Sequence, residues 1–449
     1  MKHISRREFI HGSSKAVAGA AVGLTVIKSR KSAFAANEQI GVAVMGINGR
    51  GQAHMDGYCG IDGARVVALV DPDTRLFESR AKRVADKQGE APKCYTDIRE
   101  ALADENVDAV SIATCNHWHA LGTVWACQAG KDVYVEKPAS WSVWEGRKMV
   151  EAAEKYERIV QVGCQSRSSG QVRDAIGRMY AGQIGKVYMA RALCYKPRGS
   201  IGVKEPSSPP EGLDFNLWLG PAPQQPFHGN LVHYNWHWFW DFGNGDLGNQ
   251  GVHQMDIALW GLQKGLPVKV YATGGRFGYE DQGQTPNTEI CTFEYDDGTQ
   301  LVFEVRGHYT NGEAGVIQGG QLAETRIGNL FYGSEGWIAS SDGYKAHLGH
   351  KGDLAPAFEG ALPPVGGAGA GDHFANFIDA VRSRKPDDLN APVTVGHPSA
   401  ALCHLANISY RLGRSLTFDP EKERFVGDDE ANKLLMRKYR APFVIPEKV

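Results

Sequence analysis

The stretch that decides the fold of this chain is Ile40-Gly41-Val42-Ala43-Val44-Met45-Gly46-Ile47-Asn48-Gly49-Arg50-Gly51. Its first six residues predict a buried β-strand, because they form an apolar run that ends at a glycine-rich turn. The turn follows the dinucleotide-binding pattern, whose three marked positions provide a tight turn, close approach to a pyrophosphate and helix packing. Here the middle position is not glycine, and the next residue compensates by opening the backbone. We therefore predict nucleotide contacts at Gly46, Asn48, Gly49, Arg50 and Gly51.

A carboxylate stands at the end of the next predicted strand. Residues 64–70 form that strand, and Asp71 follows at about the spacing expected of a residue that binds ribose hydroxyls. Asp71 and Asp73 together would repel the extra phosphate of NADP, which favours NAD, and Arg75 is the feature that would reverse this preference. The alternative for Asp71 is a helix-capping turn residue before a proline.

Strands and helices then alternate up to about residue 165, which predicts a parallel sheet covered by helices. Glu136-Lys137-Pro138 closes the strand 131–135, so its lysine lies where open α/β sheets bind their ligands. A loop from Thr114 to His119 lies at the same edge, and we expect it to cover the nucleotide. The remaining strands are predicted at 109–113 and 159–163, and the helices at 74–88, 97–103, 120–129 and 144–156.

The second half of the chain shows antiparallel signals instead. Residues 288–295 and 300–306 alternate around Asp296-Asp297-Gly298, which predicts a hairpin. The fold class is therefore a Rossmann-type α/β domain joined to an α+β domain. We place a nucleotide domain at 36–165, a substrate domain at 166–368 (whose oligomerisation role is implied only by the family resemblance given below), helices that pack back on the body at 369–418, and an extended tail at 419–449.

A possible catalytic histidine lies between Asp246 and Trp260. If this segment is helical, Asn249, His253 and Asp256 fall on one face at i, i+4 and i+7, and the two polar groups would orient an imidazole as a general base. The alternative is a structural histidine.

Residues 234–241 are dense in aromatic rings and include Trp240, which predicts either a sugar-binding wall or core packing between the domains. Lys196 and Arg198 are candidate substrate contacts, the alternative being solvated surface charges. His233 and His237 have metal-pair spacing, but no Glu stands between them in the metalloprotease order, so we expect no metal.

With these residues in place, the chain resembles the glucose-fructose oxidoreductase and inositol dehydrogenase family (Gfo/Idh/MocA). The likeness runs from about residue 40 to 413. It is carried by the glycine loop at Gly46, Asp71, the Asn116 to His119 loop, Glu136-Lys137-Pro138, Gly163-Cys164-Gln165-Ser166-Arg167 and Gly251-Val252-His253-Gln254-Met255-Asp256.

The resemblance implies a second domain with a large, mostly antiparallel sheet, often an oligomer surface, so we expect a homodimer or homotetramer. It implies that Lys137 and His253 lie beside the nicotinamide and the reacting carbinol. Cys115 and Asn249 stand where proline and aspartate are usual, and an amide cannot take a proton as a carboxylate does. Further predicted contacts are Thr114, Asn116, His119, Glu136 and Gln165 for the nucleotide, and Arg167, Lys196, Arg198, Trp240, Asn249 and His253 for the substrate.

The first 35 residues predict a twin-arginine export signal. Ser5-Arg6-Arg7-Glu8-Phe9-Ile10 is followed by an apolar segment and by the cleavage site Ala33-Phe34-Ala35. We therefore expect a periplasmic or otherwise exported protein that uses the twin-arginine machinery. Removing the leader changes the formal net charge from −2 to −8, which argues against a nucleic-acid partner.

No long apolar run follows the leader, so we expect no membrane span in the mature protein. The eight cysteines are scattered without a C-x-x-C spacing, which predicts neither a zinc site nor a disulfide scaffold.

Together these features predict hydride transfer between a sugar, cyclitol or glycoside carbinol and a tightly bound NAD. Because a periplasm offers no substantial free NAD pool, a bound nucleotide would be regenerated in place, for example in redox-assisted glycoside hydrolysis or epimerisation. The alternative outside the enzymes is a non-catalytic sugar-binding protein.

Overall fold

The computed structural model describes residues 39–310 and 327–449 of the 449-residue chain. The predicted export signal lies outside the described residues, and export stays a prediction. Within the described ranges, no helix combines the length and the apolar character that crossing a membrane requires.

The nucleotide half is built on one parallel sheet of six strands, in the order β3-β2-β1-β4-β5-β6. Alternate residues of its central strand enter apolar clusters on opposite faces, Ala43 and Met45 on one and Val42 and Val44 on the other. The predicted Rossmann-type sheet is confirmed. The elements are β1 (Ile40–Met45), α1 (Gly51–Cys59), β2 (Ala64–Val70), α2 (Phe77–Gln88), β3 (Lys93–Tyr95), α3 (Ile98–Ala103), β4 (Ala109–Ile112), α4 (Asn116–Gln128), β5 (Asp132–Val135), α5 (Val143–Lys155) and β6 (Val160–Val162).

The predicted loop over the nucleotide is wrong in part. Helix α4 begins at Asn116 rather than at residue 120, so Asn116 to His119 form its first turn. Local polarity indicated a loop, but all four residues are buried, three of them against the second half, and burial favours the hydrogen-bonded helix.

The second half contains a sheet of ten strands, in the order β14-β13-β12-β11-β7-β10-β9-β8-β15-β16. Of its described pairings only β7 with β10 is parallel, and the predicted hairpin turn at Gly298 joins β9 to β10. The predicted mostly antiparallel sheet is confirmed. Its strands are β7 (Val187–Cys194), β8 (Lys269–Gly275), β9 (Thr288–Glu294), β10 (Gln300–Arg306), β11 (Ile327–Gly333), β12 (Gly336–Ala339), β13 (Ala346–Leu348), β14 (Asp353–Leu354), β15 (Leu416–Asp419) and β16 (Arg424–Phe425).

One face of this sheet packs against helices, and the last residues return to the first half. Phe443, Ile445 and Val449 are buried in a cluster with Trp118, so the segment predicted as an extended tail is instead anchored by apolar burial. The division into domains stays a prediction. The helices of this half are α6 (Gly170–Tyr180), α7 (Phe215–Leu219), α8 (Val252–Leu262), α9 (His373–Ser383), α10 (Val393–Leu412) and α11 (Asp429–Asn432).

Candidate active site

A cavity of about 310 Å³ opens at the carboxyl ends of β1, β2, β4 and β5, where open α/β sheets bind ligands. The second half covers it with residues of the segment 212–237, which we call the roof. The described lining residues include the predicted Gly46, Asn48, Gly49, Arg50, Asp71, Thr114, Asn116, His119, Glu136, Lys137 and Asn249, and the roof residues Leu217, Trp218, His233, Tyr234, Trp236 and His237.

The glycine loop has the geometry that a pyrophosphate needs. Gly46 has φ +83°, and a side chain at Gly51 would lie 2.0 Å from the carbonyl oxygen of Gly46, so the turn and the helix packing both require glycine. A Cβ at Gly49 would meet nothing within 4 Å, so open space lies above this residue. Gly49 therefore leaves room for a ligand to approach the backbone, although Asn48 holds the middle position.

Asp71 is tied to the backbone and also faces the cavity. Its two carboxylate oxygens accept hydrogen bonds from the amides of Ile47 (2.9 Å) and Asp73 (3.0 Å). Burial raises the pKa of Asp71 to about 6, although both amides oppose the shift. Each oxygen keeps a free lone pair, so the turn-capping role and the ribose-binding role are compatible. Arg75 forms a bidentate pair with Asp73 (2.7 and 2.6 Å) and is therefore engaged by a carboxylate.

Below the lysine lies a group that we call the Glu136 cluster. The Glu136 carboxylate accepts hydrogen bonds from Arg50 Nε (2.7 Å), His54 Nε2 (3.1 Å), Gln165 Nε2 (3.0 Å) and the Lys137 amide (3.2 Å). Burial would raise the pKa of Glu136, but these donors and charges hold it well below its usual value. The predicted Gln165 thus acts through Glu136. His54 was not predicted; its only sequence signal is its place three residues after Gly51 on a buried helix face.

Lys137 meets the second half at this point. Its Nζ donates to the backbone carbonyl of Asn249 at 2.5 Å. That carbonyl belongs to a π-helical turn, Leu247–Gly251, which precedes α8. Burial lowers the pKa of Lys137, and the neighbouring carboxylate of Glu136 opposes this effect.

The predicted i, i+4, i+7 face is wrong because the segment is not one continuous α-helix. The π-helical turn changes the residue spacing before Val252. The turn packs tightly against the second sheet, since a Cβ at Gly251 would lie 2.4 Å from the ring of Phe303. His253 follows in the first turn of α8. It is absent from the described lining of the cavity, but it lies near enough to Lys137 for that charge to help lower its pKa. Burial lowers the pKa of His253 to about 3, and its Nδ1 is buried with no hydrogen-bond partner among the described residues.

Asp256, predicted as a catalytic residue beside His253, has a different partner. It forms a buried ion pair with Arg167 (2.8 Å) and accepts a hydrogen bond from Ser399 (2.7 Å). Arg167, predicted to bind substrate, also stacks over Trp260. Neither is among the described residues that line the cavity. We therefore correct both predictions to a structural ion pair, which one-dimensional spacing cannot distinguish from a catalytic pair.

Arg198 and Trp240, predicted to bind substrate, also lie outside the described lining. Arg198 pairs with the buried Asp246 (2.7 Å) and donates to the Tyr234 hydroxyl (3.3 Å), so it reaches the cavity only through that tyrosine. Trp240 packs beside Tyr410 and Arg411. Lys196 is half-buried, and its charge contributes to the lowered pKa of Lys137.

Tyr234 and Trp236 form the aromatic side of the cavity. His237, for which the sequence suggested only metal-pair spacing, lies on the same side. His237 stacks on Trp236 with ring centroids 3.6 Å apart, and its Nδ1 lies 2.6 Å from the Tyr234 carbonyl oxygen. Since a carbonyl only accepts, Nδ1 carries the hydrogen and Nε2 keeps its lone pair. Burial lowers the pKa of His237 to about 3, and Lys137 adds to this shift.

The fold and the site define a two-domain oxidoreductase with an NAD(P)-binding Rossmann domain. The family model for the oxidoreductase family's NAD-binding Rossmann fold matches residues 40–164, and the model for its C-terminal alpha/beta domain matches 196–335 and 341–445. The chain therefore belongs to the Gfo/Idh/MocA oxidoreductase family, and the predicted resemblance is confirmed.

Curated relatives match part of the chain, and two of them illustrate the range. Glycosyl hydrolase family 109 protein 1 of Shewanella sp. (strain MR-4) is 24% identical over 177 residues, which are 35% of this chain and 39% of that protein. scyllo-Inositol 2-dehydrogenase (NAD(+)) of Bacillus subtilis (strain 168) is 34% identical over 149 residues, 33% of this chain and 42% of that protein. The matches thus span less than half the length of these relatives.

Solved structures show the same fold. The WlbA dehydrogenase of Bordetella pertussis, in complex with NADH and UDP-GlcNAcA, has a TM-score of 0.61 and 18% identity over 85% of this chain and 99% of that chain. The aldose-aldose oxidoreductase of Caulobacter crescentus, complexed with glycerol, has a TM-score of 0.58 and 18% identity over 85% and 100%.

Proposed function

We propose that this protein is an NAD-dependent oxidoreductase that moves a hydride between a sugar, cyclitol or glycoside carbinol and a tightly bound nicotinamide. One observation carries the proposal. Lys137, at the end of β5, meets the Asn249 backbone of the second half at 2.5 Å, in the same cavity as the glycine loop and Asp71. A cation and a histidine-bearing helix from separate parts of the chain thus converge where a nucleotide fits.

The cavity residues fit a dinucleotide. The open space at Gly49 suits a pyrophosphate, and the free lone pairs of Asp71 suit the ribose hydroxyls. NAD is favoured over NADP because Asp71 and Asp73 are both acidic and Arg75 is held by Asp73. When bound, the nicotinamide supplies the hydride acceptor and donor.

The residues of the chain supply the proton chemistry. His253 is assigned as the proton acceptor for the carbinol hydroxyl because its Nδ1 is buried with no hydrogen-bond partner among the described residues and its ring lies close to Lys137. Lys137 donates to the oxygen on which negative charge develops, and the Glu136 cluster and the Asn249 carbonyl hold it in place. Asn249 lines the cavity and stands where the family usually has an aspartate.

A polyol substrate is supported by the wall of the cavity. Tyr234 and Trp236 offer rings to the C–H faces of a sugar, while Asn249 and His237 offer polar groups to its hydroxyls. The names of the similar proteins include an inositol dehydrogenase and an aldose-aldose oxidoreductase.

A second candidate is redox-assisted glycoside hydrolysis. In this chemistry a transient keto group acidifies the neighbouring C–H, so that the leaving group is eliminated and water adds. The glycosyl hydrolase relatives favour it, and His237 adds a second neutral imidazole to the same cavity. An exported protein that regenerates its nucleotide in place would suit either chemistry.

The test begins with full-length purified protein, whose released nucleotide is identified by mass spectrometry. Absorbance is then followed with inositols, aldoses and aryl glycosides. A rise in the reduced-nicotinamide band supports sugar oxidation, and release of the aryl group supports hydrolysis. Thermal stabilisation by a sugar without either signal would instead indicate a binding protein and contradict the proposal.

Replacing the lysine tests the proposed chemistry most directly. We expect Lys137→Ala to lose turnover by on the order of 10³-fold, because the developing alkoxide loses its cationic partner, while the nucleotide content stays unchanged. Lys82→Ala, at an exposed ion pair, serves as the control. Wild-type turnover in Lys137→Ala would remove the lysine from the mechanism.

A further inference from the structure

The roof is joined to the turn that follows β2, the strand that carries Asp71. The Thr74 amide donates to the Gly212 carbonyl (2.9 Å), and the Asp214 amide donates to the Pro72 carbonyl (2.8 Å). His233 reaches the same turn through its side chain, with Nε2 2.8 Å from an Asp73 carboxylate oxygen. The Thr74 hydroxyl also donates to the Gly212 carbonyl (3.0 Å), so four hydrogen bonds connect the second half to the ribose end of the cavity.

The bond between His233 and Asp73 differs from the other three in its charge and burial. The Asp73 side chain is 1% exposed, and it also holds the guanidinium of Arg75. Burial would raise the pKa of Asp73, but Arg75 and His233 hold it below its usual value. Because a carboxylate only accepts, His233 Nε2 carries the hydrogen, and the bond is charge-assisted.

The other end of the roof is fixed to helix α4 and to the chain terminus. The indole of Trp118 and the ring of His117 both contact the Trp218 carbonyl (3.1 and 3.0 Å). Arg440 donates to the Asn216 carbonyl (2.7 Å). The described roof is therefore anchored on both sides of the cavity.

We propose that His233 is a positioning residue of the nucleotide site: its bond to Asp73 fastens the second domain over the ribose end and slows nucleotide release. His233 and Asp71 line the cavity together, and the two groups interact electrostatically, which places the contact beside the predicted ribose site. This inference rests on the proposed function, because it presumes a dinucleotide in this cavity. It makes the nucleotide a resident group rather than a second substrate.

The test measures the release of NADH from the full-length protein. Each variant is loaded with NADH, mixed with excess NAD, and followed by nicotinamide fluorescence in a stopped-flow instrument. We expect His233→Ala to release NADH about 10-fold faster or more, which corresponds to the loss of one charge-assisted hydrogen bond. His228→Ala is the matched control, because His228 lies in the same roof and packs beside Phe239; its release rate should equal that of the wild type.

Asp73→Asn is the second variant, because it keeps the size of the side chain and removes the charge that holds His233. Faster release in both variants, with wild-type thermal unfolding, supports the proposal. Equal release rates in either folded variant and the wild type overturn it. If the wild type binds no NADH in calorimetry, the proposed function itself fails, which is a different outcome from NADH binding with unchanged release.

Discussion

Glu136 and Asp256 are both buried carboxylates paired with an arginine, and the sequence placed both in the site. They differ in what surrounds their partners. The Arg50 side chain beside Glu136 is 45% exposed and lines the cavity, whereas the Arg167 side chain beside Asp256 is 8% exposed and packs on Trp260. The first pair faces the cavity, and the second pair is sealed between helices.

This difference decides whether each arginine can contact a ligand or only stabilises the fold. A cation at the cavity wall can turn to solvent or to a ligand, so its pair is available for binding. A sealed cation has no such alternative, because removing its partner leaves an uncompensated buried charge. The same two residue types therefore line the proposed nucleotide site in one region and stabilise the fold in the other.

The largest expected effect is on the sealed pair. We expect Asp256→Ala to lower the free energy of unfolding by about 3–5 kcal/mol, because Arg167 would remain charged and buried. Denaturant unfolding measures the loss, and turnover per folded molecule should stay unchanged, since Asp256 lies outside the described cavity lining.

The control is the double variant Arg167→Met with Asp256→Leu. Replacing both charges by apolar groups removes the stranded charge, so most of the stability should return. If the double variant lost as much stability as Asp256→Ala, the contrast between the two pairs would not hold.

A smaller effect, of the opposite kind, is expected at the cavity. Glu136→Gln should reduce turnover by about 10²-fold, because an amide cannot accept from all four donors and Lys137 loses its alignment. Its unfolding free energy should fall less than that of Asp256→Ala, since Arg50 can turn to water. Glu151→Gln, in a half-exposed ion pair, is the control. A large stability loss with unchanged turnover would place Glu136 with the structural pair.

An effect that grows gradually with pH sharpens the comparison, at a carboxyl that has no cationic partner among the described residues. Glu289 is 2% exposed, its Oε1 has no hydrogen-bond partner among the described residues, and burial raises its pKa to about 8. The folded state therefore holds this proton more tightly than the unfolded state, where the pKa lies near 4.5. As the pH rises from about 4.5 to about 8, the unfolded state loses this proton and the folded state keeps it. The unfolding free energy of the wild type should therefore fall, relative to that of Glu289→Gln, by at most about 1.4 kcal/mol for each pH unit.

Chemical denaturation of the wild type and Glu289→Gln at several pH values checks this expectation. Below about pH 4.5 the difference in unfolding free energy between the two proteins should be constant. A constant difference across the whole range would mean that Glu289 has a partner that keeps it ionised.

Local pattern was enough to predict the nucleotide half. Its site residues follow directly after parallel strands, and the carboxyl ends of such strands must meet at one edge, so Gly46, Asp71 and Glu136-Lys137 are brought together by topology alone. The apolar run of β1 likewise predicted a buried strand, and the structure buries it on both faces. His54 was missed because a single histidine on a helix carries no distinguishing period.

The tertiary structure alone decided which polar groups in the second half reach the cavity. Asp256 and Arg198 lost their predicted roles because each found a buried partner far away in the chain, while His233 and His237 gained theirs from the fold of the roof. Side-chain pairing between segments depends on distances in space. Sequence spacing records only distances along the chain. It was therefore enough to predict the family, the parallel sheet and the position of Lys137 at the end of a strand. The contacts of Lys137 with the second half depend on how the two domains pack.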